Sequence, residues 1–429
     1  MHARWLAVVA LSSLSAFAAP TLLHAARAVT PETGAVTAPA WLRIDNGRIV
    51  SLGTTKPAGE AALVELGDVT LVPGFIDAHA HLLHVEAPTD DAMVGEAVSL
   101  SDADRALRAV PLAKEVLRAG FTTVRDLGNS GRGGDVSLKR AVTAGWVEGP
   151  RVLASTRALS GPLGQFARLA PTHVALASQE YAVVRTPDEA TAAVVDALAE
   201  GADCIKVIVD AGAGRELDDA TLAAIVKRAH AAKVKVAAHC VTPEAADRAV
   251  AAGVDSIEHG YALSDATLAT MAKKRIALVP TDYPTSFYEG FVTAAPSAQQ
   301  AQVRERFKAF RASSRERLKR AAAAKVPIVF GSDAYTPTEL ADRGREMQLV
   351  FDAYAEAGLS GLEVLRSATS TAAAQLGLDV GTLKVGAPAD VVALEGDPLK
   401  DVKALSRVKA VFKRGARVTL PSAERAPTR

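Results

Sequence analysis

The sequence predicts an α/β fold, a (β/α)8 TIM barrel with a small β-sandwich beside it. Three observations lead there. From about residue 74 to 378, apolar β-branched runs alternate with alanine- and leucine-rich stretches of helical character, the pattern of a parallel sheet with crossover helices. The runs number eight, which is the count that closes such a barrel. The flanking segments 29–73 and 379–420 carry short strand patterns with Gly and Pro turns and no helical pattern, so both ends are expected to build one sandwich together.

Residues 1–28 read as a secretory leader. Arg4 gives a basic start, an apolar stretch runs from Trp5 to about Leu23, and Ala26-Arg27-Ala28 fits a cleavage site. Removal is expected after Ala28, with Ala16-Phe17-Ala18 as a second site, and the destination is periplasmic or secreted. No later segment offers some eighteen uninterrupted apolar residues, so no membrane contact is expected once the leader is gone. WLRIDNGRIVSLG (41–53) reads as a hairpin turning at Asn46-Gly47, and 62–72 as a further strand.

The eight barrel runs are FIDAHAHL (75–82), TTVRDLG (122–128), RVLAST (151–156), CIKVIVDAG (204–212), VKVAAHC (234–240), SIEHG (256–260), IALVPT (276–281) and PIVFGSD (327–333). Helices are expected over 101–119, 187–201, 218–232, 243–252, 264–274 and 297–324. The stretches 157–186 and 282–296 read as loops over the catalytic face. Strand patterns return at 381–398 and 408–418, and 421–429 reads as a flexible tail.

Composition narrows the function. Forty-nine basic residues balance 48 acidic ones, and the two signs are mixed along the chain. That excludes the strongly basic surface that nucleic acid or an anionic membrane would require. Two cysteines do not make a disulfide scaffold, so Cys204 and Cys240 are expected reduced and buried. Barrels of this size often self-associate, and a homo-oligomer is compatible with the sequence.

The chemistry concentrates at the C-terminal ends of the predicted strands, where barrel enzymes build their sites. His79 and His81 stand two apart on the first strand and face the same way. Lys206 lies on the fourth, His239 ends the fifth, Glu258-His259 the sixth and Asp333 the eighth. Each alone has an ordinary structural explanation. Their coincidence at one rim points to a metal site. His84, Arg125, Tyr261 and Tyr283 sit just past strand ends and are candidates to hold a substrate, an arginine or tyrosine there by gripping a carboxylate. Asp126 is expected to orient a ligand or loop.

The segments VPGFIDAHAHL (72–82), FTTVRDLG (121–128), IKV (205–207), AAHC (237–240), IEHG (257–260), GSD (331–333) and GTLKVGAPADVVAL (381–394) make this sequence resemble the amidohydrolase superfamily of metal-dependent hydrolases. It looks closest to the branch of Xaa-Pro dipeptidase-like carboxypeptidases, imidazolonepropionase-like proteins and ochratoxin-degrading amidohydrolases. The resemblance covers nearly the whole chain after the leader and implies the same barrel and sandwich. It implies two divalent ions, one held by His79, His81 and Asp333 and one by His239 and His259, with Lys206 carboxylated by CO2 as a bridge. A lysine ammonium has donors only and cannot ligate a cation; the added carboxylate can. Zinc is the default for imidazole and carboxylate ligands.

The implied reaction is attack of a metal-bridging hydroxide on the carbonyl of a small-molecule or short-peptide amide, with Asp333 moving the proton to the leaving amine. A carboxypeptidase- or dipeptidase-like enzyme, or an N-acyl amino acid amidase, is the leading expectation. An ochratoxin-type detoxifying amidase, a cyclic-amide hydrolase and a non-catalytic metal-binding periplasmic protein are the alternatives. Many members of the branch carry a TGGH-like segment after strand three. Here residues 159–166 read LSGPLGQF without the histidine, which points to a more apolar pocket suited to an aromatic amide or an N-acyl amino acid.

Overall fold

The computed structural model describes residues 20–85, 92–210, 216–336 and 343–420. The N-terminal part is β1 (Thr21–Thr30), β2 (Ala35–Thr37), β3 (Ala40–Asp45), β4 (Arg48–Gly53) and β5 (Ala62–Pro73). Asn46 and Gly47 join β3 to β4 with φ of 49° and 72°, the two left-handed residues that a tight hairpin turn demands.

The barrel strands follow as β6 (Phe75–Ala80), β7 (Phe121–Asp126), β8 (Arg151–Ala154), β9 (Ala158–Ser160), β10 (Tyr181–Val183), β11 (Cys204–Ile208), β12 (Lys235–Cys240), β13 (Ser256–His259) and β14 (Ala277–Val279). They pair in parallel as β6-β7-β8 and as β10-β9-β11-β12-β13-β14. The backbone of Asp203, just before β11, donates to Ala154 O at the end of β8. The run 327–333 forms no long ladder but closes the circuit: Ile328 bridges Leu278, Ala78 N donates to Phe330 O at 2.9 Å, and Asp333 N donates to His79 O at 2.7 Å. Helices such as Asp102–Arg118, Asp219–Ala231 and Arg343–Glu356 cover the outside. Phe75, Phe121, Phe330 and Phe351 pack ring to ring between the strands and the last of these helices.

The chain ends with β15 (Val391–Glu395), β16 (Val408–Lys413) and β17 (Ala416–Arg417). Both ends share one sheet of order β17-β16-β15-β5-β1-β3-β4, with β2 beside β1. The sheet curls until Arg48 of β4 bridges Pro388, and so encloses its own core of Leu23, Leu42, Ile49, Leu71, Val391 and Phe412. Cys204 and Cys240 are unbridged and buried. Among the described residues no helix is long and apolar enough to cross a membrane.

Three expectations need correction. The sandwich begins at Thr21, not after Ala28, because β1 lies between β3 and β5 and buries Leu22, Leu23, Ala25 and Ala28. A buried apolar strand has the same composition as the end of a leader, so the two ran together in the sequence. The rest of the expected leader (1–19) and the expected tail 421–429 lie outside the described residues. The stretch 282–296 is no loop: Thr285–Ala294 is a helix. Phe287, Tyr288 and Phe291 pack on one another, and the last two reach Phe307 of the next helix, and that packing outweighs a Thr- and Gly-containing composition. The stretch 157–186 carries β9, β10 and two short helical turns, pinned by a buried Arg105–Glu180 ion pair at 2.7 Å.

A chain that starts at Ala19 should therefore unfold cooperatively on heating. One that starts at Val29 loses Leu22 and Leu23, each contributing about 1.5–3 kcal/mol by burial, along with the centre of a sheet, and should show no cooperative transition by circular dichroism.

Candidate metal centre

The site grows from the end of β6. Asp77, His79 and His81 share one parity and point inward. The fully buried Asp77 accepts from His79 N at 2.8 Å and from Ser332 N at 3.2 Å, so one carboxylate ties the first strand end to the segment carrying Asp333. Gly331 lets that segment close in. A Cβ there would meet Val279 Cγ1 at 2.3 Å and His79 Cβ at 2.8 Å.

Hydrogen bonds from the ring nitrogens turn the imidazoles toward the barrel mouth. His79 donates from Nδ1 to Glu258 Oε2 at 2.8 Å, and Glu258 is gripped by Arg125 Nη2 at 2.9 Å. His81 donates from Nδ1 to Gly128 O at 2.9 Å. Their Nε2 atoms are left for the site: that of His81 lies 3.0 Å and that of His79 3.5 Å from Asp333 Oδ1. One ligand atom from each of His79, His81 and Asp333 lies within 4.8 Å of the other two. Lys206 Nζ stands 3.5 Å from His79 Nε2. The His259 ring is 5.0 Å from that of His79 and 4.5 Å from that of His239, and its Nδ1 is 2.8 Å from Thr281 Oγ1 and 3.7 Å from an Asp333 oxygen.

The backbone is bent to achieve this. His259, Thr281 and Asp333 have φ of 66°, 53° and 54°, left-handed values that cost about 1–2 kcal/mol each for residues with a side chain. On a regular strand Glu258 and His259 would face opposite ways. The turn at His259 lets both reach His79.

The electrostatics suit a cation. Burial holds His79, His239 and His259 below the usual imidazole range, His239 down to about 3, and positive charge on Lys206 adds to the effect. Burial opposes charge on His81 as well, but hydrogen bonding to Asp333 outweighs it and raises that ring. Burial likewise opposes ionised Asp333, and His79 and His81 overcome it and lower the carboxyl. Burial lowers the Lys206 ammonium. Depressed imidazoles stay neutral and the lowered carboxyl stays ionised at neutral pH, the forms in which these groups ligate a metal.

Residues 70–418 match the amidohydrolase family. The chain belongs to that family. Among relatives, the ochratoxinase of Aspergillus niger is 28% identical over 373 residues, which are 80% of this chain and 73% of the fungal protein. A crystal structure of a prolidase complexed with N-methylphosphonate-L-proline superimposes with a TM-score of 0.80 at 31% identity, covering 94% of this chain and all of the other. A Xaa-Pro dipeptidase with methionine bound in its active site gives 0.78 at 26% identity, covering 93% and 99%. The protein is thus a metal-dependent amidohydrolase, a hydrolase of carbon–nitrogen bonds.

The amidohydrolase barrel brings together His79, His81, Lys206, His239, His259 and Asp333. It does not bring Arg125 to the substrate. That guanidinium is 2% exposed and is committed to Glu258 and, through Nε, to Ala78 O at 2.6 Å; it lies beneath the centre as a brace. His84 donates one nitrogen to Glu96, which Arg108 also holds, and its ring lies 5.7 Å from that of Tyr335. The Tyr261 ring lies tilted, 5.6 Å from the His259 ring. Tyr283 is buried against Phe287, and its hydroxyl has no partner among the described residues. Asp126 accepts from Leu82 N and Gly128 N, shaping the turn that carries Gly128 O to His81. Sequence reading gave no role to Asp77, Glu258 or Thr281. The shared parity of Asp77 with His79 and His81 was the one available signal.

Replacing Glu258 by Gln removes the acceptor charge that fixes His79 and leaves Arg125 buried without its partner. Metal affinity should fall about 10–100-fold and stability by about 3–5 kcal/mol. Equilibrium dialysis with elemental analysis and thermal unfolding check the two effects.

Proposed function

We propose that this amidohydrolase is binuclear and releases an amino acid from an N-acyl or short-peptide amide. The observation that carries the reading is the meeting of four imidazoles, one ionised carboxylate and one buried lysine around a common space. His79, His81 and Asp333 would hold one ion and His239 and His259 the other; zinc suits this donor set. When bound, the ions supply Lewis-acid polarisation of the amide carbonyl and lower the pKa of water from about 15.7 to near 7.

The chain's own groups do the rest. Burial favours the neutral amine of Lys206, which is the form that adds to CO2. The Nζ–carbon bond forms as one C=O π bond of CO2 opens, one amine proton leaves to water, and the product is an anionic carbamate whose oxygens could serve as ligands. Asp333, ionised and 3.0 Å from His81 Nε2, takes the proton of the attacking water and returns it to the leaving nitrogen, which departs as an amine.

An amino acid as leaving group is supported by the relatives, whose names include prolidase, Xaa-Pro dipeptidase and ochratoxinase. A second reading, an ochratoxin-type amidase that takes a bulky aryl acyl group, is favoured by one feature. A chain of rings runs outward from His259 through Tyr261, Phe310 and Tyr288 to the exposed Phe291. A panel of dipeptides, N-acyl-phenylalanines and cyclic imides separates the readings by which of them yields a free amino acid. Export remains part of the proposal, with the leader ending after Ala18 so that β1 stays whole.

Two outcomes are expected. Asp333→Asn should lower kcat by about 10²–10⁴-fold while most of the metal stays bound. Metal-stripped protein given zinc in CO2-free buffer should recover little activity and regain it on addition of bicarbonate. In Lys206→Met bicarbonate should make no difference. Recovery that is indifferent to bicarbonate in the unaltered protein would rule out the carbamate.

A further inference from the structure

Three of the four histidines have one ring nitrogen committed: His79 to Glu258, His81 to Gly128 O and His259 to Thr281 Oγ1. His239 faces a different partner. Asp210 lies two residues beyond β11, and its Oδ1 is 3.7 Å from His239 Nε2. Its other oxygen, Oδ2, accepts from Val241 N at 2.7 Å, Thr242 N at 2.8 Å and Thr242 Oγ1 at 3.1 Å. Those three bonds pin the carboxylate and brace the start of helix Pro243–Ala252. They leave Oδ1 unexplained. That atom is buried and has no hydrogen-bond partner among the described residues, and the side chain is 8% exposed. A buried acceptor without a donor is costly, by about 1–3 kcal/mol or more when charged, and the ring nitrogen that Oδ1 faces stands 3.7 Å away, so a small approach of the ring would supply the donor.

We propose that Asp210 is the positioning residue of His239: it accepts the Nε2 proton, fixes that tautomer and leaves Nδ1 free to coordinate. His79, whose Nδ1 carries the proton, presents Nε2 instead, so the histidines on opposite sides of the mouth offer opposite nitrogens. The tautomer claim needs no metal. Only its consequence for the second ion rests on the binuclear reading.

Asp210→Asn separates the two jobs of the side chain. Its oxygen can keep the bonds to Val241 and Thr242, while its NH2 turns to His239 Nε2 and forces that atom to accept. The ring proton then sits on Nδ1. In metal-free protein with 15N-labelled histidine, the His239 signal, identified by its loss in His239→Gln, should report Nε2–H in the unaltered chain and Nδ1–H in the variant. In equilibrium dialysis against zinc the variant should hold the ion of His239 and His259 about 10–100-fold more weakly, with the ion of His79, His81 and Asp333 unchanged. A proton on Nδ1 in the unaltered chain, or a variant that binds both ions as tightly as the unaltered chain, overturns the proposal. If the unaltered chain binds a single ion, the binuclear reading fails while the tautomer still decides the role of Asp210. If Asp210→Asn does not fold, the spectrum of the unaltered chain decides alone.

Discussion

His79 Nδ1 meets Glu258 across the barrel at 2.8 Å, and both side chains are almost wholly withdrawn from water. In that setting a carboxylate is tolerable only if its charge is balanced and its lone pairs are used. Arg125 balances it, Ser256 Oγ donates to it, and His79 completes the set. The same contact orients the imidazole, so its Nε2 lies where Lys206, Asp333 and the His259 ring converge. The first and sixth barrel strands are thereby held in one relation. The distances from His79 to Lys206, Asp333 and the His259 ring all start from a ring that this contact has placed.

Two more buried guanidiniums do for the backbone what Arg125 does for Glu258. Arg317 bonds the carbonyl of His259 and the carboxylate of Asp282, and Arg343 bonds the carbonyls of His81, His84 and Ala334. Of these, His259, Asp282 and Ala334 lie at or beside the left-handed turns at His259, Thr281 and Asp333. Three such turns cost about 3–6 kcal/mol together. Hydrogen bonds from a charged donor contribute about 1.5–3 kcal/mol apiece, enough to offset them. Strain sits where ligand-type side chains must leave the regular alternation of a strand, and the charge-assisted bonds sit beside it. Strain of this kind persists only where its surroundings over-determine it.

The same physics explains what could be read in advance. The eight apolar runs were legible because burial on both faces of a parallel strand imposes a near-continuous apolar pattern. The histidines, Lys206 and Asp333 stood out because polar residues at the ends of such runs are rare. Arg125 misled because a charge near a strand end reads as mouth-facing, whereas it lies one layer below, where only a buried acid such as Glu258 makes it tolerable. The pairing of Glu258 with His79 joins residues 179 apart in sequence, and no local pattern encodes it. The helix Thr285–Ala294 depends on rings contributed by the next helix, and β1 on two strands that flank it. Each of these gains its identity from contacts and not from its own composition.

The state of Lys206 is tied to the same balance of charge. Its Nζ is 3.5 Å from the nitrogen of His79 that faces the site, and a protonated amine there would stand beside any cation held by His79. Two unit charges about 4 Å apart at an effective dielectric of about 20 repel by on the order of 4 kcal/mol, and a divalent ion doubles that. The three depressed imidazoles bring no charge of their own, so Asp333 alone would have to neutralise the site. Under the proposed reading the carbamate removes a positive charge and adds a negative one at the point where the repulsion would be greatest. Burial of the amine therefore serves the centre twice, by favouring the uncharged nucleophile that adds CO2 and by making its protonated form the least tolerable occupant of that position.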